Sequence, residues 1–324
     1  MILKQERIRK VNDIEYPIIS SSIDYSTDLV CFELHERKKQ YLRLNRDRFG
    51  EYEIIFSLQD RKMTIKIDGD LYTIRNDSLK GVFFRAPVFL RSHKNYSLNE
   101  QLYRSQWSSF IRNLVVFEKT KWINHQVNTY CAENKLFQLQ CAQNMDLLIP
   151  KTFVGNVLPK NIMPTKKYIV KSLDTALFYD ESQEYFTYTS VVNESELIDS
   201  NIKDAPVILQ EFLEDKQDIR VTVIGNMLFP ISITKNGENI YGDWRKNAKD
   251  TLQYKAETLP DDISNKIIKL MNKLGLLFGG VDLALSNGKY YFIEVNPTGE
   301  WGWLSPYGTI PLEKAIVNEL VGEV

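Results

Sequence analysis

The residues best suited to chemistry are polar side chains that interrupt strand-like runs. In KYYFIEVN, residues 289–296, Glu294 and Asn296 share one face because side chains alternate along a strand. The run VDLAL before it carries Asp282, and the two runs are predicted to form a hairpin that turns at residues 286–288. Two carboxylates and an amide oxygen are hard ligands that suit Mg2+. The pattern therefore predicts a magnesium site, with a hydrogen-bonded polar cluster as the alternative.

Two cations interrupt other strands in the second half of the chain. Lys171 ends the run YIVK, where its amine could reach a phosphate or simply extend into solvent. Arg220 lies in DIRVTVIGN, whose alternation places it on one face with Asp218. An inward-facing arginine needs an anion, since an unpaired buried charge is costly. The sequence leaves open whether that anion is a neighbouring carboxylate or a bound phosphate.

A polar strand end completes this set. Gln210 and Glu211 follow an apolar strand in LQEF, where the backbone could face an adenine ring, and a plain polar strand end is the alternative. Cations, this edge and a hard metal triad together indicate a nucleoside-triphosphate site, in which positive charges hold the phosphates. The chain has no P-loop, no Rossmann glycine motif and no kinase signature.

Composition excludes several classes of protein. The 324 residues include 41 Lys and Arg and 42 Asp and Glu, and the net charge of -1 gives no reason to expect nucleic-acid or membrane binding. Only three histidines are present, which argues against imidazole chemistry. Cys31, Cys131 and Cys141 lack metal-site spacing and are predicted to be free thiols. Without a signal-type segment or a membrane-length apolar run, a cytoplasmic location is predicted.

The elements that position these residues indicate an α+β protein. The first 15 residues suggest an extension or an added strand, and YPIIS is predicted to be the first strand of the core. A helix capped near Ser26 or Thr27 follows, and then an antiparallel meander with a turn at IDGD. Further strands include GVFFRAPVF, and further helices are predicted at about residues 98–118, 128–144 and 311–321.

The order and spacing of these motifs resemble the ATP-grasp superfamily over about residues 80–310. The stretches that carry the resemblance are AENKLFQLQCAQNMDLLIPKT, KYIVKSL, ILQEFLEDKQDIRV, GDWRKN, GVDLAL and FIEVNPTGEW. The branch is the one related to the ribosomal-protein glutamate ligase. Within it, GVFFRAP, WINHQ, GDWR and VNPTGEWGWL are most similar to the graspetide (microviridin-type) peptide macrocyclases.

The resemblance implies an ATP-grasp fold with three lobes. They are an N-terminal α/β pre-ATP-grasp lobe at residues 1–120, a small central α+β lid lobe at 121–207, and a C-terminal antiparallel-sheet lobe at 208–324 that holds the metal. ATP would bind between the last two lobes.

The resemblance also assigns roles to individual residues. Arg220, Arg245 and Asn247 would be catalytic, and Asp282, Glu294 and Asn296 would bind two Mg2+ ions. The residues implied to bind ATP are Lys135, Lys171, Gln210, Glu211, Phe212, Leu213, Glu214 and Asp218.

The implied activity is ATP-dependent ligation within a ribosomal precursor peptide. Glu or Asp side chains would be activated as acyl phosphates, and Thr, Ser or Lys side chains would attack them to form ω-ester or ω-amide rings. The peptide leader is expected to dock on the helix at 98–118 or the region 180–192, and a homodimer is a further expectation. The alternatives are another ATP-grasp ligase that adds glutamate or joins amino acids, a small-molecule kinase on the same fold, and a non-catalytic nucleotide-binding protein.

Overall fold

The chain divides into two units in a computed structural model. The structure describes residues 11–85, 96–160, 162, 166–174, 177–180, 183–307 and 311–323. The first unit comprises Met1–Tyr130, Leu276–Phe278 and Glu300–Val324, and the second comprises Cys131–Gly275 and Gly279–Gly299. Residues 300–324 therefore group with the first unit, whereas the three-lobe division of the sequence stays a prediction.

The elements within these ranges mix helices and strands throughout the chain. The strands are β1 Val11–Ile14, β2 Tyr16–Ser20, β3 Tyr41–Asn45, β4 Glu53–Ser57, β5 Lys62–Ile67, β6 Asp70–Arg75, β7 Gly81–Phe84, β8 Lys121–Ile123, β9 Thr152–Gly155, β10 Tyr168–Lys171, β11 Leu177–Asp180, β12 Gln183–Phe186, β13 Ser190–Val192, β14 Val207–Glu211, β15 Gln217–Ile224, β16 Met227–Lys235, β17 Leu252–Ala256, β18 Phe278–Ser286 and β19 Lys289–Asn296. The helices are α1 Tyr25–Glu36, α2 Leu98–Asn113, α3 Gln126–Ala132, α4 Lys135–Asn144, α5 Glu194–Ile198, α6 Asp261–Leu274 and α7 Leu312–Val321.

Two four-stranded sheets form the strand framework of the first unit. One has the order β3-β2-β7-β8 with parallel pairing, and β2 is buried at all five positions, as expected for a strand covered on both faces. The other has the order β1-β6-β5-β4 and contains the predicted antiparallel meander. Its turn at IDGD has positive φ at Asp68 and Gly69, which is why that sequence suits the hairpin.

Three helix boundaries differ from the sequence prediction. Helix α1 is capped by Asp24 rather than Ser26 or Thr27, because the Asp24 carboxylate accepts a hydrogen bond from the Thr27 backbone N–H. Helix α2 ends at Asn113 and passes into a 3-10 turn, so the predicted helix at 98–118 is too long. The predicted helix at 128–144 is two helices, since the extended backbone of Asn134 separates α3 from α4.

In the second unit a five-stranded sheet carries most of the chemistry predicted from the sequence. Its order is β17-β16-β15-β18-β19, and a four-stranded sheet of order β13-β10-β14-β9 supplies the Lys171 strand. Helix α4 is tied to β19 by Gln138, whose side-chain amide donates to the Val295 carbonyl at 2.8 Å and accepts from the Val295 N–H at 2.9 Å. These bonds fix the position of β19, which carries Glu294.

The sequence interpretation of α+β architecture is confirmed. All three cysteines are free, and no helix within the described residues is long and apolar enough to cross a membrane. Some predictions fall outside the described residues: positions 1–10 of the N-terminal extension, residues 86–89 of the GVFFRAPVF run, and residues 181–182 of the expected leader-docking region.

Candidate active site

The hairpin β18–β19 brings two carboxylates face to face. Asp282 and Glu294 are direct cross-strand partners, and the register shifts immediately after Asp282. The hairpin turns through Asn287 and Gly288, both with positive φ, at the turn predicted from Ser286-Asn287-Gly288. Like charges placed opposite each other destabilise a sheet, so this pair requires cations nearby.

Arg220 supplies one of those cations from the neighbouring strand β15. Its Nη1 donates to both Asp282 carboxylate oxygens at 2.9 Å, and the residue is only 8% exposed. The anion that the sequence left open is therefore a carboxylate in this structure, and a contact of Arg220 with phosphate stays a prediction. Gly280 and Gly299 leave room for the guanidinium, because a Cβ at these positions would lie 2.2 and 2.4 Å from Arg220 Nη2.

The other cations act on Glu294. Burial by itself would raise the pKa of the Glu294 carboxyl, but Lys171, Lys135 and Arg245 together outweigh burial and hold that pKa below its usual range. The effect on Asp282 is opposite: burial raises the pKa of its carboxyl despite Arg220. Burial also lowers the pKa of Lys171 despite the opposing attraction of Glu294. The hairpin thus carries a partly compensated charge cluster, in which three cations surround the partly buried carboxylate of Glu294.

A cleft within the second unit opens beside this cluster. It encloses about 710 Å³ of empty space, its open mouth included. Its apolar lining comes from Pro150, Ile169, Ile219, Leu283 and Ile293. Nine residues singled out from the sequence also line it: Lys171, Gln210, Glu211, Phe212, Leu213, Asp218, Arg245, Asp282 and Glu294. An apolar cleft with cations and carboxylates at one side fits a nucleotide that has a flat base and an anionic tail.

The residues Gln210–Leu213 form the strand-end side of this cleft. Gln210 is buried, and its Nε2 donates to Thr152 Oγ1 at 2.9 Å. Glu211 Oε1 accepts from the Lys151 backbone N–H at 3.0 Å. The Glu211 and Phe212 backbone N–H groups also donate within the protein, to the Lys151 and Lys167 carbonyls at 2.9 and 3.3 Å. The apolar surfaces of Phe212 and Leu213 are therefore the parts of this segment that a base can meet.

Five predicted site residues lie outside the lining. Lys135 begins α4 and donates to the Ser172 carbonyl at 3.1 Å, and Arg220 lies behind Asp282. The Asn247 carboxamide oxygen accepts from Lys235 Nζ at 2.9 Å. Glu214 and Asn296 are exposed, and Asn296 Oδ1 accepts from the Thr298 backbone N–H at 3.1 Å. The roles of these five residues stay predictions.

Two lining residues that the sequence did not single out hold predicted ones in place. Lys216 Nζ lies 2.5 Å from both carboxylate oxygens of Asp218. Asp243 accepts from Arg245 Nε and Nη2 at 2.9 Å, while Arg245 Nη1 lies 3.8 Å from Glu294. Both are pairs of opposite charge two residues apart, in EDKQD and GDWR, and that spacing was the available signal.

Gly280→Ala is expected to displace Arg220 and break its pairing with Asp282. The new Cβ would overlap a guanidinium that has little room to move, so we expect a loss of about 1–3 kcal/mol in the free energy of unfolding. Urea denaturation of the nucleotide-free protein measures it. Gly155→Ala is the matched control, because the nearest atom to its Cβ is 4.0 Å away. Equal stability of the two variants would contradict the assignment.

Glu133→Gln is expected to raise the free energy of unfolding at high pH but not at low pH. Burial, with Glu294 and Asp174 adding to it, raises the pKa of Glu133 from 4.5 to about 7. The folded protein therefore binds this proton more tightly than the unfolded chain does. The contribution of Glu133 to the free energy of unfolding consequently falls as pH rises from 4.5 through the folded pKa. Without nucleotide or Mg2+, the variant should be about 1–3 kcal/mol more stable than wild type near pH 8, and the gain should vanish toward pH 4.5.

Urea denaturation across this pH range measures the effect of Glu133→Gln. The exposed Glu238 provides the control, since Glu238→Gln should keep the wild-type pH dependence. A stability difference between Glu133→Gln and wild type that does not change with pH would refute the assignment.

Comparison with known proteins agrees with this geometry. Residues 188–320 match the RimK-like ATP-grasp domain. The chain is 23% identical over 234 residues to the tetrahydromethanopterin:alpha-L-glutamate ligase of Methanocaldococcus jannaschii, covering 66% of this chain and 76% of that protein.

Two solved structures extend the similarity to the whole fold. The macrocyclase MdnC of Microcystis aeruginosa MRC, bound with its precursor peptide MdnA, is 24% identical with a TM-score of 0.80, over 95% of this chain and 100% of that one. The RiPP-associated ATP-grasp ligase of Chryseobacterium gregarium, in complex with ADP and a leader and core peptide, is 21% identical with a TM-score of 0.82, over 97% of both chains. The fold is therefore the ATP-grasp fold expected from the sequence.

Proposed function

We propose that this chain, which carries a RimK-like ATP-grasp domain on an ATP-grasp fold, is an ATP-dependent ligase that cross-links side chains of a ribosomal precursor peptide. The observation that carries the proposal is the cleft of the second unit, where Asp282 and Glu294 face each other beside Lys171 and Arg245. The similarity to two peptide-bound ligases over nearly the whole chain supports a peptide as substrate.

The cleft suits ATP from one end to the other. The base would lie against Ile169, Phe212 and Leu213, with its rim toward the chain at Leu213. The triphosphate would extend toward Lys171 and Arg245, with Lys135 as a further cation. For the ribose we propose Asp218 rather than Glu214, because Asp218 lines the cleft and Glu214 does not.

The donors present also fit magnesium. Asp282 and Glu294 offer carboxylate oxygens on one side of the cleft, and Asn296 lies two residues beyond Glu294 on the same strand. Hard oxygen donors without histidine or cysteine match the preference of Mg2+. When bound, the metal, proposed here as two ions, would neutralise the triphosphate and orient it for transfer.

The residues of the chain then have distinct tasks in a two-step ligation. A substrate carboxylate oxygen attacks the γ-phosphorus, the bond to the ADP oxygen breaks, and an acyl phosphate forms. We assign to Arg245, which is held by Asp243, the stabilisation of charge on the transferred phosphoryl group. Arg220, which is paired with Asp282, would share this task. A hydroxyl or amine of the peptide then attacks the acyl carbon, releasing phosphate and the attacking proton. The net change in the peptide is the loss of one water per ring.

Mass spectrometry tests the proposal directly. The protein is incubated with ATP, Mg2+ and a peptide that is encoded beside its gene and contains Thr, Ser or Lys together with Glu or Asp. We expect ATP-dependent loss of one water per ring, absent when ATP is omitted and with Asp282→Asn. A phosphorylated product would instead identify a kinase. ATP consumption with no change in any such peptide would contradict the proposal.

Glutamate addition is the second candidate function. The curated relative that joins glutamate to tetrahydromethanopterin is the observation that favours it, because both reactions would use the same acyl-phosphate chemistry. In the same experiment with free glutamate present, this function would appear as a mass gain of one glutamyl unit rather than a mass loss.

A further inference from the structure

A second buried charge cluster lies in the first unit and has no part in the ATP chemistry described above. Arg85 follows β7, and its side chain is 3% exposed. Its backbone N–H donates to the Ile19 carbonyl at 2.8 Å, and its guanidinium lies 5.9 Å from the centre of the Phe278 ring. A guanidinium at this depth needs carboxylate partners, because a buried unpaired charge is strongly destabilising.

Asp24 is the inner partner and is rigidly held. Arg85 Nε lies 3.0 Å from Asp24 Oδ2, and the Asp24 side chain is 8% exposed. Ser20 Oγ and Thr27 Oγ1 each donate to the same carboxylate at 2.8 Å. Burial alone would raise the pKa of Asp24, but Arg85 and these donors outweigh it and hold the pKa below its usual range. Asp24 is therefore the carboxylate that balances the Arg85 charge at neutral pH.

Glu300 is the outer partner and is held differently. Arg85 Nη2 donates to Glu300 Oε1 at 2.9 Å, and Ser26 Oγ donates to Glu300 Oε2 at 2.8 Å. The Ser26 hydroxyl is itself oriented by the Gly302 backbone N–H at 2.9 Å. The Glu300 side chain is 66% exposed. Because Asp24 already neutralises Arg85, Glu300 adds a second negative charge that solvent can reach.

This arrangement has the features of a carboxylate-binding site. An arginine N–H and a hydroxyl converge on one carboxylate, and Ser26 lies in the first turn of α1, where the helix dipole favours an anion. We propose that Arg85 and Ser26 bind an acidic side chain of the peptide substrate, and that Glu300 occupies the same position when no peptide is bound. The inference rests on the proposed peptide substrate and adds a recognition site to it.

Competition by Glu300 makes the proposal testable by binding alone. The probes are a fluorescein-labelled synthetic peptide of alternating Thr and Glu and a twin in which every Glu is Gln, measured by fluorescence anisotropy without ATP or Mg2+. Glu300→Gln keeps a hydrogen-bonding side chain but removes the competing charge, so we expect it to bind the Glu peptide about 3–10-fold more tightly and the Gln peptide equally. In the Glu300→Gln background, where the competing charge is gone, Ser26→Ala should weaken binding of the Glu peptide alone, by about 3-fold.

Two comparisons separate a binding site from a structural ion pair. Glu36→Gln removes the same charge from the first unit as Glu300→Gln does, but at another exposed position. It should leave the affinities for the Glu peptide and the Gln peptide unchanged. In an Arg85→Met background, Glu300→Gln should have no effect on binding. If Arg85→Met does not fold, Glu300→Gln is tested in a Ser26→Ala background, where its gain should be smaller than in wild type because one of the two shared donors is lost.

The proposal is overturned if Glu300→Gln fails to strengthen binding of the Glu peptide, or if Glu36→Gln strengthens it equally. Because binding is measured without turnover, this result is independent of whether any peptide loses water in the ligation assay.

Discussion

Glu294→Gln is expected to reduce ATP-dependent turnover by roughly 10²–10³-fold or more. Glu294 is the carboxylate on which Lys171, Lys135 and Arg245 act together, and those cations keep it ionised. A neutral amide of the same shape would remove the charge that is proposed to hold Mg2+ and would leave the surrounding cations uncompensated. The measurement is the rate of ADP release in the presence of peptide, ATP and Mg2+.

Two controls separate chemistry from folding for this variant. Glu238→Gln makes the same substitution at an exposed turn of the same unit and should retain wild-type turnover. Thermal unfolding of the Glu294→Gln protein should show a cooperative transition, since its strand neighbours are unchanged. Turnover within about twofold of wild type would exclude Glu294 as a metal ligand, because loss of a direct ligand costs far more.

Arg220→Met is expected to destabilise the nucleotide-free protein by about 3 kcal/mol near neutral pH. The substitution removes the guanidinium nitrogen that donates to both Asp282 oxygens and leaves that partly buried carboxylate without its hydrogen-bonded cation. At lower pH the carboxyl can take up a proton, so the penalty should decrease as pH falls. Urea denaturation at several pH values measures both effects.

The double variant Arg220→Met/Asp282→Asn is the matched control for this prediction. It replaces the ion pair by two neutral groups of similar size, and such replacements of buried pairs are often nearly neutral in stability. We therefore expect the double variant to recover most of the stability that the single variant loses. A single variant as stable as wild type, or a double variant whose loss equals the sum of the two single losses, would show that the two residues are not coupled.

The β18–β19 hairpin was predictable because its signals are local. Alternation along KYYFIEVN and the Asn287-Gly288 turn predict the hairpin and the faces of its side chains. They do not predict the pairing of Asp282 with Glu294, because the register that starts at the turn leads to Ile293 and only the shift after Asp282 brings Glu294 opposite it. The partner of Arg220 was not predictable, since Asp282 lies 62 residues away and a phosphate would satisfy the same guanidinium. Sequence periodicity specifies the face of a residue but not the group that meets it.

The break between α3 and α4 was not predictable from the sequence for a different reason. Apolar residues at helical spacing lie on both sides of Glu133 and Asn134, so the sequence favoured a single helix. The chain nevertheless turns there, and Lys135 is the first residue of α4. The contacts that position α4 are made by Gln138 with Val295, 157 residues away. The Arg85 cluster also depends on contacts between residues that are distant in the sequence, because its carboxylates lie 61 and 215 residues from the arginine.

The bonds between Gln138 and Val295 have a consequence for how the protein behaves at high concentration. Strand β19 is the outermost strand of its sheet, and an uncovered edge strand is a template for pairing with another chain. Gln138 occupies both backbone groups of Val295, and the Leu148 carbonyl accepts from the Phe292 N–H at 2.7 Å. The strand that carries Glu294 is thereby shielded against intermolecular β-pairing and aggregation at Phe292 and Val295, the residues on either side of Ile293 and Glu294.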